Sequence, residues 1–467
     1  MKKSLLFAVT LLLEGSAICV SAQSDLSVVE ASQTLLPVNM QASGQFGWAS
    51  AMSADQLFVG QYRATDAYAN AGKVFVYNKS AEGWVLADSI LSPRQEIGSC
   101  FGYSIATDGE HLIIGGSESF VSTSKDGFVA IYAKDASTGK WVQEGDVLSL
   151  PTTGLAGQFG AYSAIKGNVA VAGAYLAKVN GVSSVGVAAI MERGADGTWS
   201  LTEISSPTPT VGNVFGRAVA VIDDNNVLIG SAKAGVWRYA KGSDGWTIAQ
   251  TFDVKNTASQ MSIAVDGGNM IINNYSNNKA FAYAQQADGS WAQTQEIAMP
   301  ESASKFGNIV AISGQKAVIT VPSGGNAYLY ELADGAWSPK AALQSNGATT
   351  FGNFLAFNGT DAAISVATQA VTNAAGANVT NVGTVFSYDL SSFSTAIGSI
   401  AEAGKALVKT VAGGIVITAE APTAAAVYGI DGRLAAQLTA AAGETRVALP
   451  KGVYIVRIGA TSVKVAL

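Results

Sequence analysis

Residues 101–115 read Phe101-Gly102-Tyr103-Ser104-Ile105-Ala106-Thr107-Asp108-Gly109-Glu110-His111-Leu112-Ile113-Ile114-Gly115, and variants of this segment recur along the chain. The other copies begin at Phe46, Phe159, Phe215, Ser259, Phe306 and Phe351, and the copy at Ser259 is degenerate. The fifth residue after each start is alanine, and successive alanines lie 44 to 58 residues apart. This period is too long for a leucine-rich or ankyrin repeat and suits one small sheet per repeat.

The second copy shows how each repeat divides into four strands. Residues 103–107 alternate as a first strand, Asp108-Gly109 forms a tight turn, and residues 111–114 form a second strand. Residues 128–132 are a third strand, and a fourth begins at Trp141. Each repeat therefore predicts one antiparallel sheet.

A glycine-containing turn that ends in tryptophan joins the third and fourth strands. Six of the eight tryptophans occupy this position: Trp84, Trp141, Trp199, Trp246, Trp291 and Trp337. Glycine permits the positive φ that such turns need, and we expect tryptophan to cover the joint between neighbouring sheets. Because four-stranded sheets arranged radially leave only short edges, the repeats predict an all-β propeller.

The ends of the repeat region predict how the ring closes. The seventh repeat has three strands, ending at residues 385–388, and no tryptophan-bearing fourth strand follows. Residues 32–37 precede Phe46 much as residues 147–151 precede Phe159. We therefore expect an N-terminal strand to complete the last sheet, which gives a seven-bladed propeller over residues 23–395.

The repeats also carry a family resemblance. The Phe-Gly…Ala…Gly pattern, with Gly60, Gly115, Gly173 and Gly230 ending the second strands, resembles FG-GAP repeats, the blades of integrin α-subunit heads and of many bacterial surface proteins. Calcium-binding members of that family carry an Asp-rich loop of about nine residues between the first two strands. Turns such as Lys166-Gly167 are too short to wrap an ion. No metal site is therefore predicted.

The last part of the chain differs from the repeats. Short alternating strands separated by turns predict a small immunoglobulin-like β-sandwich over residues 406–467, after a linker at 396–405. Its motifs closely resemble the C-terminal sorting domain of the type IX secretion system, and the motif residues are Gly432, Arg433, Leu449, Pro450, Gly452, Val453, Tyr454 and Lys464. The resemblance implies a Bacteroidota-type cell, the type IX secretion machinery as a partner, and either release or attachment to surface lipopolysaccharide.

The N-terminus predicts entry into a secretory route. Lys2-Lys3, the apolar residues 5–13 and Val20-Ser21-Ala22 form the three regions of a cleaved signal peptide over residues 1–22. Its removal would leave Cys100 as the only cysteine, so no intrachain disulfide is expected. Cys100 is interpreted as a buried small residue and not as a nucleophile.

Composition excludes some partners. Only 13% of residues are charged, and the formal net charge is −6. This balance gives no basic surface for nucleic acid. Beyond the signal, no apolar run approaches the roughly 18 residues of a membrane-spanning helix. We therefore predict neither a nucleic-acid partner nor a transmembrane segment after signal cleavage.

The sequence does not identify a reaction. His111 is the only histidine and has no neighbouring cluster of ligands or acids, so no catalytic residue and no cofactor is predicted. The alternative is an extracellular carbohydrate-active enzyme, sialidase-like or lyase-like. An arginine triad that binds a carboxylate stays open for that alternative, and the propeller's arginines are Arg63, Arg94, Arg193, Arg217 and Arg238.

Loop lengths give the best local indication of a binding face. Long inserts join the second and third strands of four repeats, at residues 61–72, 117–127, 174–186 and 368–383. In a closed ring these four repeats are neighbours, so the inserts would share one face. The candidate contacts there are Tyr62, Arg63, Tyr68, Phe120 and Tyr175. The alternative is that the inserts are surface insertions without a binding role, which loops tolerate readily. The sequence thus favours a secreted or surface-attached binding propeller for a host, matrix or glycan partner.

Overall fold

The computed structural model describes most of the chain. The described residues are 26–117, 127–150, 157–256, 260–300, 306–345, 347–348, 350–393, 401–403, 406–411, 413–419, 421–429, 433–450, 452–458 and 461–466. They divide into two compact units. The first comprises the described residues up to Asn358 together with Ala363–Tyr388, and the second comprises Gly359–Ala362 and the described residues from Asp389.

The first unit contains seven sheets of four or five strands among its described residues, here numbered 1 to 7 in chain order, and one separate hairpin. Two short strands precede them, β1 (Ser27–Val29) and β2 (Gln33–Leu35). Sheet 1 holds β3 (Ser50–Met52), β4 (Gln56–Gln61), β5 (Lys73–Ser80) and β6 (Gly83–Leu91). Sheet 2 holds β7 (Phe101–Thr107), β8 (His111–Gly116), β9 (Phe128–Lys134) and β10 (Trp141–Gln143). Sheet 3 holds β11 (Tyr162–Lys166), β12 (Val169–Ala174), β13 (Val187–Arg193) and β14 (Trp199–Ser205).

The next sheets repeat this plan. Sheet 4 holds β15 (Phe215–Asp223), β16 (Asn226–Ser231), β17 (Gly235–Gly242) and β18 (Gly245–Phe252). Sheet 5 holds β19 (Ile263–Asp266), β20 (Asn269–Asn274), β21 (Lys279–Gln285) and β22 (Trp291–Ala298). Sheet 6 holds β23 (Val310–Ser313), β24 (Lys316–Val321), β25 (Asn326–Ala333) and β26 (Ala336–Gln344), and β1 pairs in parallel with β26.

The seventh sheet is built from both ends of the unit. It holds β27 (Phe354–Phe357), β28 (Asp361–Val366) and β31 (Thr384–Asp389), and β2 forms its outer strand by pairing with β31. A small hairpin, β29 (Val371–Thr372) with β30 (Asn378–Val379), lies in its long loop. Short 3₁₀ turns occur at Tyr275–Asn277, Pro322–Gly324 and Ser391–Phe393.

The first strands of the sheets surround a common axis. Each first strand contacts the first strand of the next sheet in the order β3, β7, β11, β15, β19, β23 and β27, and β27 contacts β3 again. The second strands are fully buried in several sheets, as in β4, β12, β24 and β28. Such near-continuous burial is expected of strands covered on both faces. The prediction of an all-β, propeller-like arrangement is confirmed.

The hairpin tryptophans join neighbouring sheets, as the sequence predicts. The indole nitrogens of Trp141, Trp199 and Trp246 donate hydrogen bonds of 3.0, 3.0 and 3.1 Å to side chains of the preceding sheet. Other joints use a glutamine that bonds the tryptophan backbone. Gln250 of sheet 4 accepts from the amide of Trp291 at 2.9 Å and donates to its carbonyl at 2.7 Å.

The second unit contains two antiparallel four-stranded sheets. One holds β32 (Ala401–Ala403), β33 (Ala406–Val411), β34 (Gly414–Ala419) and β37 (Gly443–Ala448). The other holds β36 (Leu434–Ala440), β35 (Thr423–Gly429), β38 (Val453–Ile458) and β39 (Thr461–Ala466). Both contribute to one core, in which Ile417 and Val456 are fully buried. Because β32 pairs with β33, Ala401–Ala403 of the predicted linker belongs to a sheet, whereas residues 396–400 and 404–405 lie outside the described residues.

Candidate functional site

The Phe-Gly pair makes the same turn in several repeats. The phenylalanines are buried, with at most 2% of their surface exposed in every copy that has one. The following glycine has a φ of 78° to 89°, which other residues rarely adopt. The backbone amide of the residue after this glycine donates to the carbonyl three residues earlier in the chain. Trp48 donates to Gln45 over 3.2 Å, and Arg217 donates to Val214 over 3.2 Å. A glycine at positive φ in the third position is the signature of a type II turn.

This turn interrupts the strand pairing and redirects the side chain that follows it. In sheet 2 the pairing of β7 with β8 shifts between Phe101 and Ser104, and in sheet 4 the pairing of β15 with β16 shifts between Phe215 and Ala218. Bulges of this kind re-aim one side chain relative to its strand. Tyr103 and Arg217 lie inside the two bulges.

The redirected side chains line a cavity on the common axis, here called the channel mouth. Its volume is about 440 Å³, and all seven sheets or the segments that lead into them contribute to its wall. The third residue of every repeat copy lines it: Trp48, Tyr103, Ala161, Arg217, Met261, Asn308 and Asn353.

One side of the channel mouth is aromatic. The Trp48 ring lies 4.8 Å from Tyr62, 5.3 Å from Tyr103 and 5.0 Å from Phe354, measured between ring centroids. Tyr62 also contacts Tyr103 edge-on at 5.1 Å. These separations are those of mutually packed rings, so this side of the wall is rigid.

The other side is polar and carries one cation. The guanidinium of Arg217 lies over the rings of Tyr162 and Tyr175, 4.3 and 5.4 Å from their centroids. Its Nη2 donates a 2.7 Å hydrogen bond to Oε1 of Gln260, and Nε2 of Gln260 donates to the carbonyl of Asn308 over 3.3 Å. The glutamine therefore holds Arg217 in place.

The tyrosine hydroxyls of the channel mouth stay protonated at neutral pH. Burial raises the pKa of Tyr175 to about 12, and burial also raises the pKa of Tyr103 and of Tyr162 above the usual range. A neutral phenol can donate as well as accept a hydrogen bond. The wall therefore offers hydroxyl and amide groups beside the guanidinium.

Three of the predicted long loops lie at the same end of the sheets, whereas residues 118–126 of the loop of sheet 2 lie outside the described residues. The backbone amide of Phe46 donates a 2.8 Å hydrogen bond to the carbonyl of Val382 in the loop of sheet 7. The amide of Phe101 donates one of 2.9 Å to the carbonyl of Ala71 in the loop of sheet 1. The loop of sheet 3 accepts one of 2.9 Å from Phe215 at Val185. Since the Phe-Gly turns form the channel mouth, these loops border it.

The predicted contact residues occupy different environments. Tyr62 is 1% exposed and packs inside the aromatic cluster, and Arg63 lies half-buried with its guanidinium 5.3 Å from the Tyr62 ring centroid. Tyr175 lines the channel mouth, and Tyr68 is 40% exposed on the loop. Phe120 lies outside the described residues. The structure thus brings Tyr62, Arg63 and Tyr175 to one end of the sheets of the first unit and leaves their binding role a prediction.

Sequence reasoning missed the remaining residues of the channel mouth. Trp48, Tyr103 and Arg217 directly follow the Phe-Gly pair of their repeats, at a position whose residue type changes from copy to copy. Because the turn recurs, the residues that follow it are the signal that could have identified them.

The opposite end of the axis carries the short turns between first and second strands. Oδ2 of Asp108 accepts a 2.8 Å hydrogen bond from the amide of Gly167 in the next sheet, and Asp266 accepts one of 2.8 Å from Gly314. His111 lies 3.4 Å from Asp108. Among the described residues, no group of three or more His, Cys, Asp or Glu side chains is placed to hold a metal ion.

Cys100 is buried as the sequence predicts, and the residues of the predicted sorting signal lie in the second unit. Cys100 is 1% exposed and packs with Tyr62 and Tyr103. Leu449 and Tyr454 belong to the core of the second unit, and the Tyr454 hydroxyl donates to the Pro450 carbonyl over 3.0 Å. The other residues are placed as follows: Arg433 is exposed, Gly452 and Val453 are half-buried, Gly432 lies outside the described residues, and of Lys464 only the backbone, in β39, is described.

Comparison with known proteins supports the repeat. Residues 30–77 match the FG-GAP repeat family. A comparison with curated proteins found no match. Within the described ranges, no helix is long and apolar enough to cross a membrane.

Solved structures show likeness of fold at low identity. A chain of the mitotic checkpoint complex is 11% identical with a TM-score of 0.50, and the match covers 83% of this chain and 98% of that one. The periplasmic gluconolactonase of Pseudomonas aeruginosa is 13% identical with a TM-score of 0.45, over 63% of this chain and 85% of that one. A putative 6-phosphogluconolactonase from Bacteroides uniformis is 11% identical with a TM-score of 0.45, over 84% and 99%. At such identities the likeness concerns the fold alone.

Proposed function

We propose that this chain is a non-catalytic, extracellular binding module whose seven sheets form a closed seven-bladed propeller and whose channel mouth receives the ligand. The observation that carries the proposal is the channel mouth itself, to which every repeat contributes its third residue. A cavity of about 440 Å³ lies within the roughly 300–1,000 Å³ typical of small-ligand sites. The predicted partner is a host, matrix or glycan molecule.

The chemistry of the wall favours binding over catalysis. Within the described part of the chain, the channel mouth is lined by aromatic, aliphatic, amide and hydroxyl side chains with one guanidinium, and no carboxylate lines it. Most glycoside hydrolases need a pair of carboxyl groups across the scissile bond. The alternative, a sialidase-like or lyase-like enzyme, would show itself by turnover of a bound glycan.

Export is the second part of the proposal. The signal at residues 1–22 and the motifs of residues 406–467 support secretion through the type IX machinery, with release or attachment at the outer-membrane surface. The two sheets around one core are consistent with an immunoglobulin-like sandwich at this position. Removing residues 406–467 should retain the chain inside the cell, and unchanged export would contradict this part.

Binding is tested by filling the channel mouth. Asn353 lines the cavity and is half-buried, so Asn353→Trp should occupy part of it. On an array of glycans and matrix proteins, we expect binding by the full chain to fall about tenfold or more in this variant, because even one lost buried contact changes affinity on that scale.

A matched control places the same bulk elsewhere. Glu82 is exposed in the hairpin between β5 and β6, so Glu82→Trp should leave binding unchanged. Equal effects of the two variants, or no binding by the unaltered chain, would contradict the proposal. Release of smaller sugars from a bound glycan would support the enzyme alternative.

A further inference from the structure

Arg217 is a cation of the channel mouth that packs against aromatic rings. It lies half-buried in the channel mouth, and its contacts are the faces of Tyr162 and Tyr175 and the amide oxygen of Gln260. Among the described residues, no carboxylate lies within ion-pair distance of it. By contrast, Arg193 pairs with Glu144 at 2.6 Å, and Lys73 pairs with Asp66 at 2.8 Å.

A partly buried cation without an anion is costly to keep. Burying a charge is unfavourable unless an opposite charge or good hydrogen bonds compensate it, and here the tyrosine faces and one amide supply only part of that compensation. The guanidinium has five N–H donors in a planar fork, of which one is bonded to Gln260. The fork matches a carboxylate, which it can hold through two parallel hydrogen bonds.

The rest of the wall indicates what carries that carboxylate. The aromatic cluster of Trp48, Tyr103 and Phe354 offers flat apolar surface of the kind that covers the C–H face of a sugar ring. The amide of Asn353 can donate to and accept from hydroxyl groups, whereas Asn308 is buried and its Nδ2 already donates to the Gly352 carbonyl over 3.1 Å. A net charge of −6 disfavours a highly charged polyanion.

We infer that the channel mouth binds an acidic sugar residue, with Arg217 holding the carboxylate, the aromatic cluster covering the ring and the Asn353 amide bonding the hydroxyls. This inference rests on the proposed binding function and adds the class of ligand. Gln260 is a positioning residue, because it fixes the guanidinium through its own bond to Asn308.

The test compares each acidic oligosaccharide with its methyl ester, which has nearly the same shape and no charge. Titration calorimetry on the full chain would use trigalacturonate, sialyllactose and their methyl esters. We expect at least one acid to bind about 10- to 100-fold more tightly than its ester, the range expected for a charge-assisted, bidentate contact.

Variants assign the preference to one side chain. Arg217→Gln should lower the affinity for the acid to that of the ester. Arg217→Lys should lose part of the preference for the acid, because an ammonium group cannot donate the two parallel hydrogen bonds that a guanidinium donates to a carboxylate. Arg238→Gln is the matched control in the same sheet, since Arg238 bonds Asn226 at 2.6 Å and does not line the channel mouth. It should leave both affinities unchanged.

The outcomes separate this inference from the proposed function. Equal affinity for acid and ester, or a preference that survives Arg217→Gln, would overturn the acidic-sugar site while glycan binding stands. A preference for poly-glutamate peptide over every sugar would overturn the ligand class. If none of these probes bound while neutral matrix proteins on the array still did, the acidic-sugar inference alone would be overturned. If nothing on the array bound, the proposed binding function would be overturned as well.

Discussion

Among single residues, glycine pairs set how closely neighbouring sheets approach. Gly115 ends the second strand of sheet 2, and a Cβ there would collide with the carbonyl oxygen of Gly160, the Phe-Gly glycine of sheet 3. Gly173 and Gly216 meet in the same way between sheets 3 and 4. Backbone thus packs against backbone, which only glycine allows.

Later repeats replace this contact with a hydrogen bond. Asn273 and Thr320 occupy the corresponding strand ends of sheets 5 and 6, and they donate to the carbonyls of Gly307 and Gly352 over 2.6 and 2.8 Å. The shorter repeats therefore keep the sheets together with a polar side chain instead of a close backbone contact.

Substitution of Gly160 should be strongly destabilising. Its φ is +78°, and a Cβ would collide with the carbonyl oxygen of Phe128. Gly160→Ala combines backbone strain with this clash, so we expect the free energy of unfolding to fall by about 3 kcal/mol or more. Chemical denaturation would measure the loss.

The matched control is Gly289, which has the same φ of +78° and open space within 4 Å of its Cβ position. Gly289→Ala should cost only about 1 kcal/mol, the strain of the left-handed backbone. If the two variants lowered the free energy of unfolding equally, the predicted effect of the backbone clash at Gly160 would be contradicted.

Among strands and hairpins, the joint between sheets 2 and 3 depends on charge. Glu144 follows β10 and accepts hydrogen bonds from Nη2 of Arg193 at 2.6 Å and from the indole of Trp199 at 3.0 Å. Partial burial acts to raise the pKa of Glu144, but the hydrogen bonds from Arg193 and Trp199 outweigh it and hold the pKa below its usual value. The hairpin of one sheet is thereby fastened to its neighbour.

This ion pair should make stability depend on acid pH. Because the folded-state pKa of Glu144 is lowered, its contribution is present above the unfolded value of 4.5 and is lost as pH falls through the folded value. Arg193→Gln should therefore lower the free energy of unfolding by about 1–2 kcal/mol at pH 7, and the difference from the unaltered chain should shrink below about pH 4. Denaturation at several pH values would measure it.

An exposed ion pair provides the comparison. Lys255 and Asp253 approach within 2.5 Å, but their side chains are 56% and 78% exposed. Lys255→Gln should change stability little at any pH, because solvent screens such pairs. A difference for Arg193→Gln that stayed constant from pH 7 to pH 3 would contradict a role for the charge of Glu144.

For the first unit as a whole, the N-terminal strand β2 links the seventh sheet to the first. It pairs with β31, and Gln33 within it accepts from the amide of Trp84 at 2.8 Å and donates to its carbonyl at 2.9 Å. Gln250 makes the same pair of bonds to Trp291 between sheets 4 and 5, which follow each other in the chain. The joint between sheets 7 and 1 is therefore built in the same way as the joint between sheets 4 and 5.

Loss of the closing contact should cost as much as loss of an internal one. Gln33→Ala and Gln250→Ala each remove two hydrogen bonds, so we expect each to lower the free energy of unfolding by about 1–3 kcal/mol in denaturant titrations. Stability that fell in Gln250→Ala and stayed unchanged in Gln33→Ala would show that β2 is not coupled to the ring.

Local sequence patterns by themselves determined the strands, their turns and the number of repeats. The Phe-Gly turns, the tryptophan hairpins and the pairing of an N-terminal strand with residues 385–387 depend on residues close in the chain or on a period that the chain displays. The addition of β1 to sheet 6 and the presence of β32, β33 and β36 were not predicted, since short strands of small residues carry little periodic signal.

The candidate site depends on contacts between residues that are distant in the chain. Trp48 and Phe354 are 5.0 Å apart although they come from the first and last repeats, and Arg217 meets tyrosines of the preceding sheet. No local pattern places them together, because the third and fourth residues of the repeats converge only when the sheets are arranged around one axis. The chain thus encodes each side chain locally, whereas the cavity they form is a property of the assembled sheets.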